Sequence, residues 1–269
     1  MKPTWERDGI QLYLGDCMDV LPHLPKVDAV VTDPPYGETS LEWDRLSNDW
    51  LPPMVLSLKE NGAIWICGSF RSLSSIDFER FDLKFGQDLI WEKHNGSNFH
   101  NDRFRRVHEL LIHVYRGRWS DITKNVVTTP DATKRTVRRK QRPTHLGQIG
   151  AGEYQSTDGG PRLMRSVLQV RSCHGVALHP TQKPIGLLVP LIEYSSNPGE
   201  FIADPFMGSG SSGVAAIKVA RKFIGIEKEP KYFEIAVKRI ERALSEERSS
   251  LFPAAKELQT ELFRKDPIR

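Results

Sequence analysis

The chain has 269 residues, 39% hydrophobic and 27% charged, with a formal net charge of +4. Those proportions exclude a disordered tail, a collagen-like repeat and a disulfide scaffold. No run approaches the ~20 apolar residues of a membrane span, and the start, MKPTWERDGIQLYLGD, lacks a secretion signal's apolar core, so a cytoplasmic protein without a membrane partner is expected.

Residues 10–14 (IQLYL) read as a short strand ending at Gly15-Asp16. The apolar, β-branched run 27–32 (VDAVVT) reads as a buried strand stopped by Asp33-Pro34-Pro35, because proline cannot continue a ladder. Residues 38–50 form a polar loop carrying Trp43 and Trp50, and 53–60 read as a helix. Three strands are expected next: AIWICG (63–68), LIWEK (89–93) and LLIHVY (110–115). Residues 118–176 lose periodicity and read as a loop-rich insertion. Helix 184–196 opens on Pro184, strand FIADPF (201–206) enters a glycine-rich turn, and helix 211–221 follows. Strand KFIGIE (222–227) leads to helix 230–248, whose Phe233, Ala236, Val237, Ile240 and Leu244 share a face. Strands alternating with helices indicate an α/β fold with a mostly parallel sheet.

Charge is segregated along the chain. Residues 97–176 hold 15 Lys and Arg against 6 Asp and Glu, and six of those cations fall in Lys134–Arg142. The remainder of the chain is net acidic. Such segregation favours a polyanionic partner. Cys17, Cys67 and Cys173 are widely spaced with no CxxC pair, which suits a reducing compartment and offers no zinc site.

Gly208-Ser209-Gly210-Ser211-Ser212-Gly213 fits G-x-G-x-x-G between a strand and a helix, and Glu227 ends the next strand. Alone, this suits either a tight turn or a dinucleotide-binding loop. Asp33-Pro34-Pro35-Tyr36 ends a buried strand, where open α/β sheets bind ligands. A proline turn accounts for the two prolines but not for the flanking Asp and Tyr.

In order, DPPY (33–36), a basic stretch, HPTQKP (179–184) and DPFMGSGSSG (204–213) resemble the β group of DNA amino-methyltransferases, which use S-adenosylmethionine (AdoMet). The resemblance covers roughly residues 8–117 and 178–245. It implies a circularly permuted, Rossmann-like methyltransferase fold with a mostly parallel seven-stranded sheet. The catalytic domain would comprise 1–117 and 177–248, with a target-recognition insertion at 118–176 and a tail from 249. It implies a catalytic set of Asp33, Pro34, Pro35 and Tyr36. The implied cofactor contacts are Asp16, Cys17, Asp33, Thr181, Lys183, Asp204, Pro205, Phe206, Gly208, Ser209, Gly210 and Glu227, with Lys183 and Thr181 near the cofactor carboxylate. Lys134, Arg135, Arg138, Arg139, Lys140 and Arg142 are the expected DNA contacts, and DNA and a homodimer partner are the expected partners. Ser211-Ser212 stands where two threonines are common in the family.

The chemistry follows from residue types. An exocyclic amine is a poor nucleophile because its lone pair is delocalised into the base. An Asp carboxylate and the Pro34 carbonyl can accept its two N–H groups and localise that pair, while Tyr36 stacks on the base. Positioning then supplies much of the rate, no metal is required, and the base must leave the helix stack. Asp at position 33 favours adenine N6, since cytosine-N4 members more often carry Ser there. The rivals are a protein-glutamine methyltransferase, which resembles this chain in an NPPY motif, a hydride-transferring Rossmann enzyme and a catalytically silent DNA-binding module. Trp43 and Trp50 are candidate lid residues, and His179 reads as a turn residue.

Overall fold

A computed structural model describes residues 1–97, 102–139 and 152–251. The chain forms two compact units. The smaller is Val126–Ser166, and the larger joins Met1–Asn125 to the chain from Val167 onward. The smaller unit is narrower than the insertion expected at 118–176. The flanking residues on either side of it group with the larger unit.

The larger unit is built on a nine-stranded sheet. Its strands begin with β1 (Trp5–Arg7), β2 (Ile10–Leu14), β3 (Val27–Thr32) and β4 (Leu58–Gly68). β5 (Lys84–Ser97) and β6 (Arg106–Tyr115) follow. In the smaller unit β7 (Thr128–Thr129) pairs with β10 (Arg162–Leu163), and β8 (Arg135–Arg139) pairs with β9 (Gly152–Ser156). The large sheet is completed by β11 (Val167–Gln169), β12 (Phe201–Asp204) and β13 (Lys222–Glu227), in the order β1-β2-β13-β12-β3-β4-β6-β5-β11. The central run β2-β13-β12-β3-β4 is parallel throughout. The seven strands expected are the core of this sheet. Two edge strands of three residues each, β1 and β11, were too short to show a period.

Helices cover both faces. The helices are α1 (Cys17–Val20), α2 (Leu51–Ser57), α3 (Phe70–Leu73), α4 (Ile185–Ser195), α5 (Ser211–Lys218) and α6 (Pro230–Leu251). Val30, Ile64 and Ile66 pack with Leu21, Leu51 and Met54 on one side. On the other, Trp65 meets Tyr194 of α4. This double burial is why β3 reads as a continuous apolar run instead of an alternating one.

Several boundaries differ from expectation. The helix expected at 53–60 is α2, which starts at its own prolines and ends when the Leu58 N–H closes on the Met54 and Val55 carbonyls. Leu58 is already extended and pairs with Val27. α5 stops at Lys218, short of residue 221. Ala220 takes a left-handed φ of 59° there, and the Arg221 N–H returns to the Ala216 carbonyl at 2.9 Å. β5 and β6 extend past their apolar cores because each satisfies the other's backbone as an antiparallel pair. In α6, Phe233, Ala236, Ile240 and Leu244 are buried as expected, while Val237 is half-buried.

Candidate active site

The strand order reverses its direction of growth between β12 and β3. From β3 the sheet grows through β4, and from β12 it grows through β13. A crevice opens at the carboxyl ends of two such strands, and that is where α/β sheets take ligands. Asp33 follows the end of β3 and Asp204 ends β12, so both carboxylates reach this crevice. The cleft measures about 690 Å³, a size suited to a small-molecule ligand.

The glycine turn is held from beneath. Asp204 is buried and accepts from Thr32 Oγ1 at 2.9 Å, Ser212 Oγ at 2.5 Å and the Phe206 N–H at 3.0 Å. Burial still pushes its carboxyl up to about 6. Gly210 caps α5 at φ 77°, and a Cβ there would lie 3.0 Å from the Ala236 Cβ. Arg239 of α6 donates to the Ser209 carbonyl at 2.6 Å and to Ser209 Oγ at 2.8 Å, clamping the turn.

Glu227 ends β13 on the other wall of the cleft, and its Oε1 accepts the Glu229 N–H at 2.8 Å. Burial pushes its carboxyl up. Asp16 caps α1 through the Met18 N–H and pairs with Lys228 at 3.0 Å, which together hold its carboxyl low. The adjacent Cys17 thiol is pushed up to about 12, first by burial and then by Asp16, and stays protonated. Pro205, Phe206, Gly208, Ser209 and Thr181 also line the cleft, but Gly210 is set back beneath the turn. AdoMet fits this chemistry: two carboxylates can meet its hydroxyl and amino groups, and the left-handed Gly208 brings bare backbone close.

Around Asp33 the arrangement is ionic. The Lys183 ammonium is buried and bonds Asp33 Oδ2, and the Tyr36 hydroxyl donates to Asp33 Oδ1. Burial raises the Asp33 carboxyl and the nearby Glu109 adds to this, while Lys183 opposes both. Lys183, expected near a cofactor carboxylate, lines the cleft and pairs with two protein carboxylates, Asp33 and Glu109. Tyr36 is half-buried with its ring centroid 5.6 Å from Lys183 Nζ, and Pro34 is buried.

Sequence patterns missed Asp44. It sits in the polar loop after DPPY and accepts four backbone N–H groups. Tyr36 and Gly37 bond its Oδ1 at 2.8 and 2.9 Å; Glu38 and Thr39 bond its Oδ2 at 3.1 and 2.7 Å. Those bonds outweigh its burial and keep its carboxyl low. Trp43 lines the cleft against His179, with ring centroids 5.4 Å apart, but Trp50 is not a lid residue. It is buried in the core and packs edge-on against Phe206. His179 lies in a turn, with its ring 4.2 Å from that of Tyr232. Burial holds it down to about 4, so it stays neutral.

In the smaller unit Lys134, Arg135 and Arg138 are exposed, and Arg138 pairs with Glu153 across the β8–β9 register. Arg139 is the last residue of β8. Lys140 and Arg142 lie outside the described residues. Among the described residues no helix is long and apolar enough to cross a membrane.

Known proteins resemble this chain in sequence and fold. Residues 27–238 match a family model of DNA methylases of the N6/N4 type. Type II methyltransferase M.HinfI of Haemophilus influenzae is 30% identical over 257 residues, covering 84% of this chain and 67% of that protein. Type II methyltransferase M2.MboI of Moraxella bovis is 27% identical over 272 residues, covering 89% and 91% respectively. The solved structure of an M1.HpyAVI–SAM complex is 26% identical with a TM-score of 0.62, covering 86% of this chain and 99% of that one. The cytosine-N4-specific PvuII DNA methyltransferase, at 18% identity and a TM-score of 0.59, is alike in fold alone; it covers 92% of this chain and 94% of that one.

Proposed function

The chain belongs to the N6/N4 DNA methylase family, and on that premise we propose that it is a β-group enzyme methylating the N6 amine of a flipped-out adenine at specific DNA sites. AdoMet is the methyl donor, and it supplies an electrophilic sulfonium methyl when bound. The observation that carries the reading is the Asp33 carboxylate lining the switch-point cleft, held by Lys183 and Tyr36.

Asp33 accepts one N–H of the target amine and the Pro34 carbonyl accepts the other, which turns the nitrogen lone pair toward the methyl. Both Asp33 oxygens already receive a hydrogen bond, and each keeps a second lone pair for the amine. Tyr36 stacks on the base while its hydroxyl steadies the acceptor. Glu227 takes the ribose hydroxyls, and Asp16 lies on the adenine side of the cofactor. The exposed Lys134, Arg135 and Arg138 contact DNA phosphates.

Nucleoside mass spectrometry after incubation with unmethylated DNA and AdoMet tests the reading. N6-methyladenine is expected, and it disappears in Asp33→Ala while AdoMet binding persists. N4-methylcytosine would overturn the base assignment. Neither product, with AdoMet still bound, would overturn DNA as substrate.

A further inference from the structure

Glu109 and Lys93 lie outside every motif, yet both are charged and nearly buried beside the reacting group. Their side chains are 13% and 15% exposed, against 7% for Lys183 and 17% for Asp33. The four groups alternate in sign. Lys93 bonds Glu109 Oε1, Lys183 lies 3.3 Å from Glu109 Oε2 and bonds Asp33, and Asp33 takes the Tyr36 hydroxyl. Trp91 backs both cations, with its ring centroid 4.8 Å from Lys93 Nζ and 5.9 Å from Lys183 Nζ. Trp91 stands directly opposite Glu109 in the β5–β6 register, so a rigid antiparallel pair holds the outer half of the chain of charges.

Buried charge is costly, and apolar residues at 93 and 109 would fill the same strands more stably. The cost is explicable if the outer pair acts on the inner one. A solitary Lys183–Asp33 pair would draw the ammonium fully onto the acceptor and weaken it as a base. Glu109 competes for the same ammonium, and Lys93, bonded to Glu109 Oε1, limits how strongly it competes.

We propose that Glu109 and Lys93 are positioning residues for methyl transfer, which hold Lys183 between two carboxylates and so keep Asp33 both oriented and receptive to the amine. The proposal rests on the reading of Asp33 as the amine acceptor. The groups facing Asp33 are Lys183 and Tyr36 in direct contact, Glu109 on β6, Cys67 on β4 and Asp204 on β12. Glu109 raises the Asp33 carboxyl and Lys183 lowers it.

The test is the pH dependence of kcat for DNA methylation in the full-length protein, with Glu109→Gln and Lys93→Met as variants. Glu109→Gln removes a negative neighbour, so the acidic limb moves to lower pH and plateau kcat falls about tenfold or more. Lys93→Met removes a positive charge, so the limb moves to higher pH. AdoMet binding by calorimetry and the KM for DNA stay within about twofold in both, which separates transition-state from ground-state effects. Opposite displacements support the proposal. Unmoved limbs in folded, AdoMet-binding variants overturn it and leave the pair a structural role. If Glu109→Gln does not fold, Lys93→Met alone decides by the direction of its limb. A wild-type protein that binds AdoMet but methylates no DNA overturns the underlying reading instead, and the two failures are distinct.

Discussion

Asp44→Ala gives the sharpest test of how the acceptor loop is held. The Asp44 carboxylate takes the N–H groups of four consecutive residues, 36 to 39, at 2.7 to 3.1 Å. Hydrogen bonds to a charged group contribute about 1.5–3 kcal/mol each. Residues 37–39 are exposed, so water replaces much of this when the carboxylate is removed. A net loss of about 2–4 kcal/mol in loop order remains, which at 1.36 kcal/mol per tenfold is roughly 30- to 1,000-fold in the ratio of formed to unformed loops. The loop begins at Tyr36, so kcat for methyl transfer falls by up to that factor. Asp16 and Glu227 are untouched, so the calorimetric AdoMet affinity stays within about threefold. Asp44→Asn keeps one accepting oxygen and turns an NH₂ toward two N–H donors, so it loses at least half the effect. The carboxyl is held low, so the loss is the same across neutral pH. A kcat within twofold of wild type in Asp44→Ala would refute the reasoning.

Four further outcomes are expected. Arg239→Met frees the Ser209 carbonyl and weakens AdoMet binding about tenfold by calorimetry, a loss near 1.4 kcal/mol. Gly210→Ala combines a left-handed backbone with a Cβ 3.0 Å from Ala236; at about 2 kcal/mol it lowers Tm by about 4–8 °C in thermal unfolding. Asp204 is raised to about 6 in the fold, so it binds its proton more tightly folded than unfolded. Its contribution to stability, at most about 3 kcal/mol, is full below pH 4 and lost as pH rises through 6, so the gap in unfolding free energy between wild type and Asp204→Asn narrows or reverses over that window. Arg135→Gln weakens DNA binding alike on all sequences and reduces the log–log salt slope by about one, measured by titration at several salt concentrations.

The parts of this site that lie on the two central strands were readable because local chemistry marks them. A buried β-branched run cut off by Asp33-Pro34-Pro35 has few structural interpretations, and the glycines at 208 and 210 both take left-handed φ. Partners brought in from a distance left weaker marks. Lys93 and Glu109 appear in the sequence only as charges at the ends of the apolar runs LIWEK and LLIHVY, a common place for a solvated residue. Their pairing depends on the β5–β6 register, which is set by backbone bonds with no sequence signature. Asp44 had no signal beyond being an acid in a polar loop. Trp50 was misplaced for the converse reason: its loop is polar, but its ring packs on Phe206 across the chain.

The permuted order of the motifs places no burden on this site, because the switch point depends on adjacency in space. β3 comes early in the chain and β12 late, yet they pair directly, with Ile202 opposite Ala29 and Ala203 opposite Val30. One hydrogen bond then joins the two halves of the chemistry. Thr32, the residue before Asp33, donates to Asp204, which carries the turn expected to hold the methyl donor. Methyl transfer requires the amine and the sulfonium to be aligned to within a fraction of an ångström. A buried side-chain bond between neighbouring parallel strands ties the Asp33 loop to the glycine turn. Whichever strand is synthesised first, Asp33 and the glycine turn are set by the same pairing.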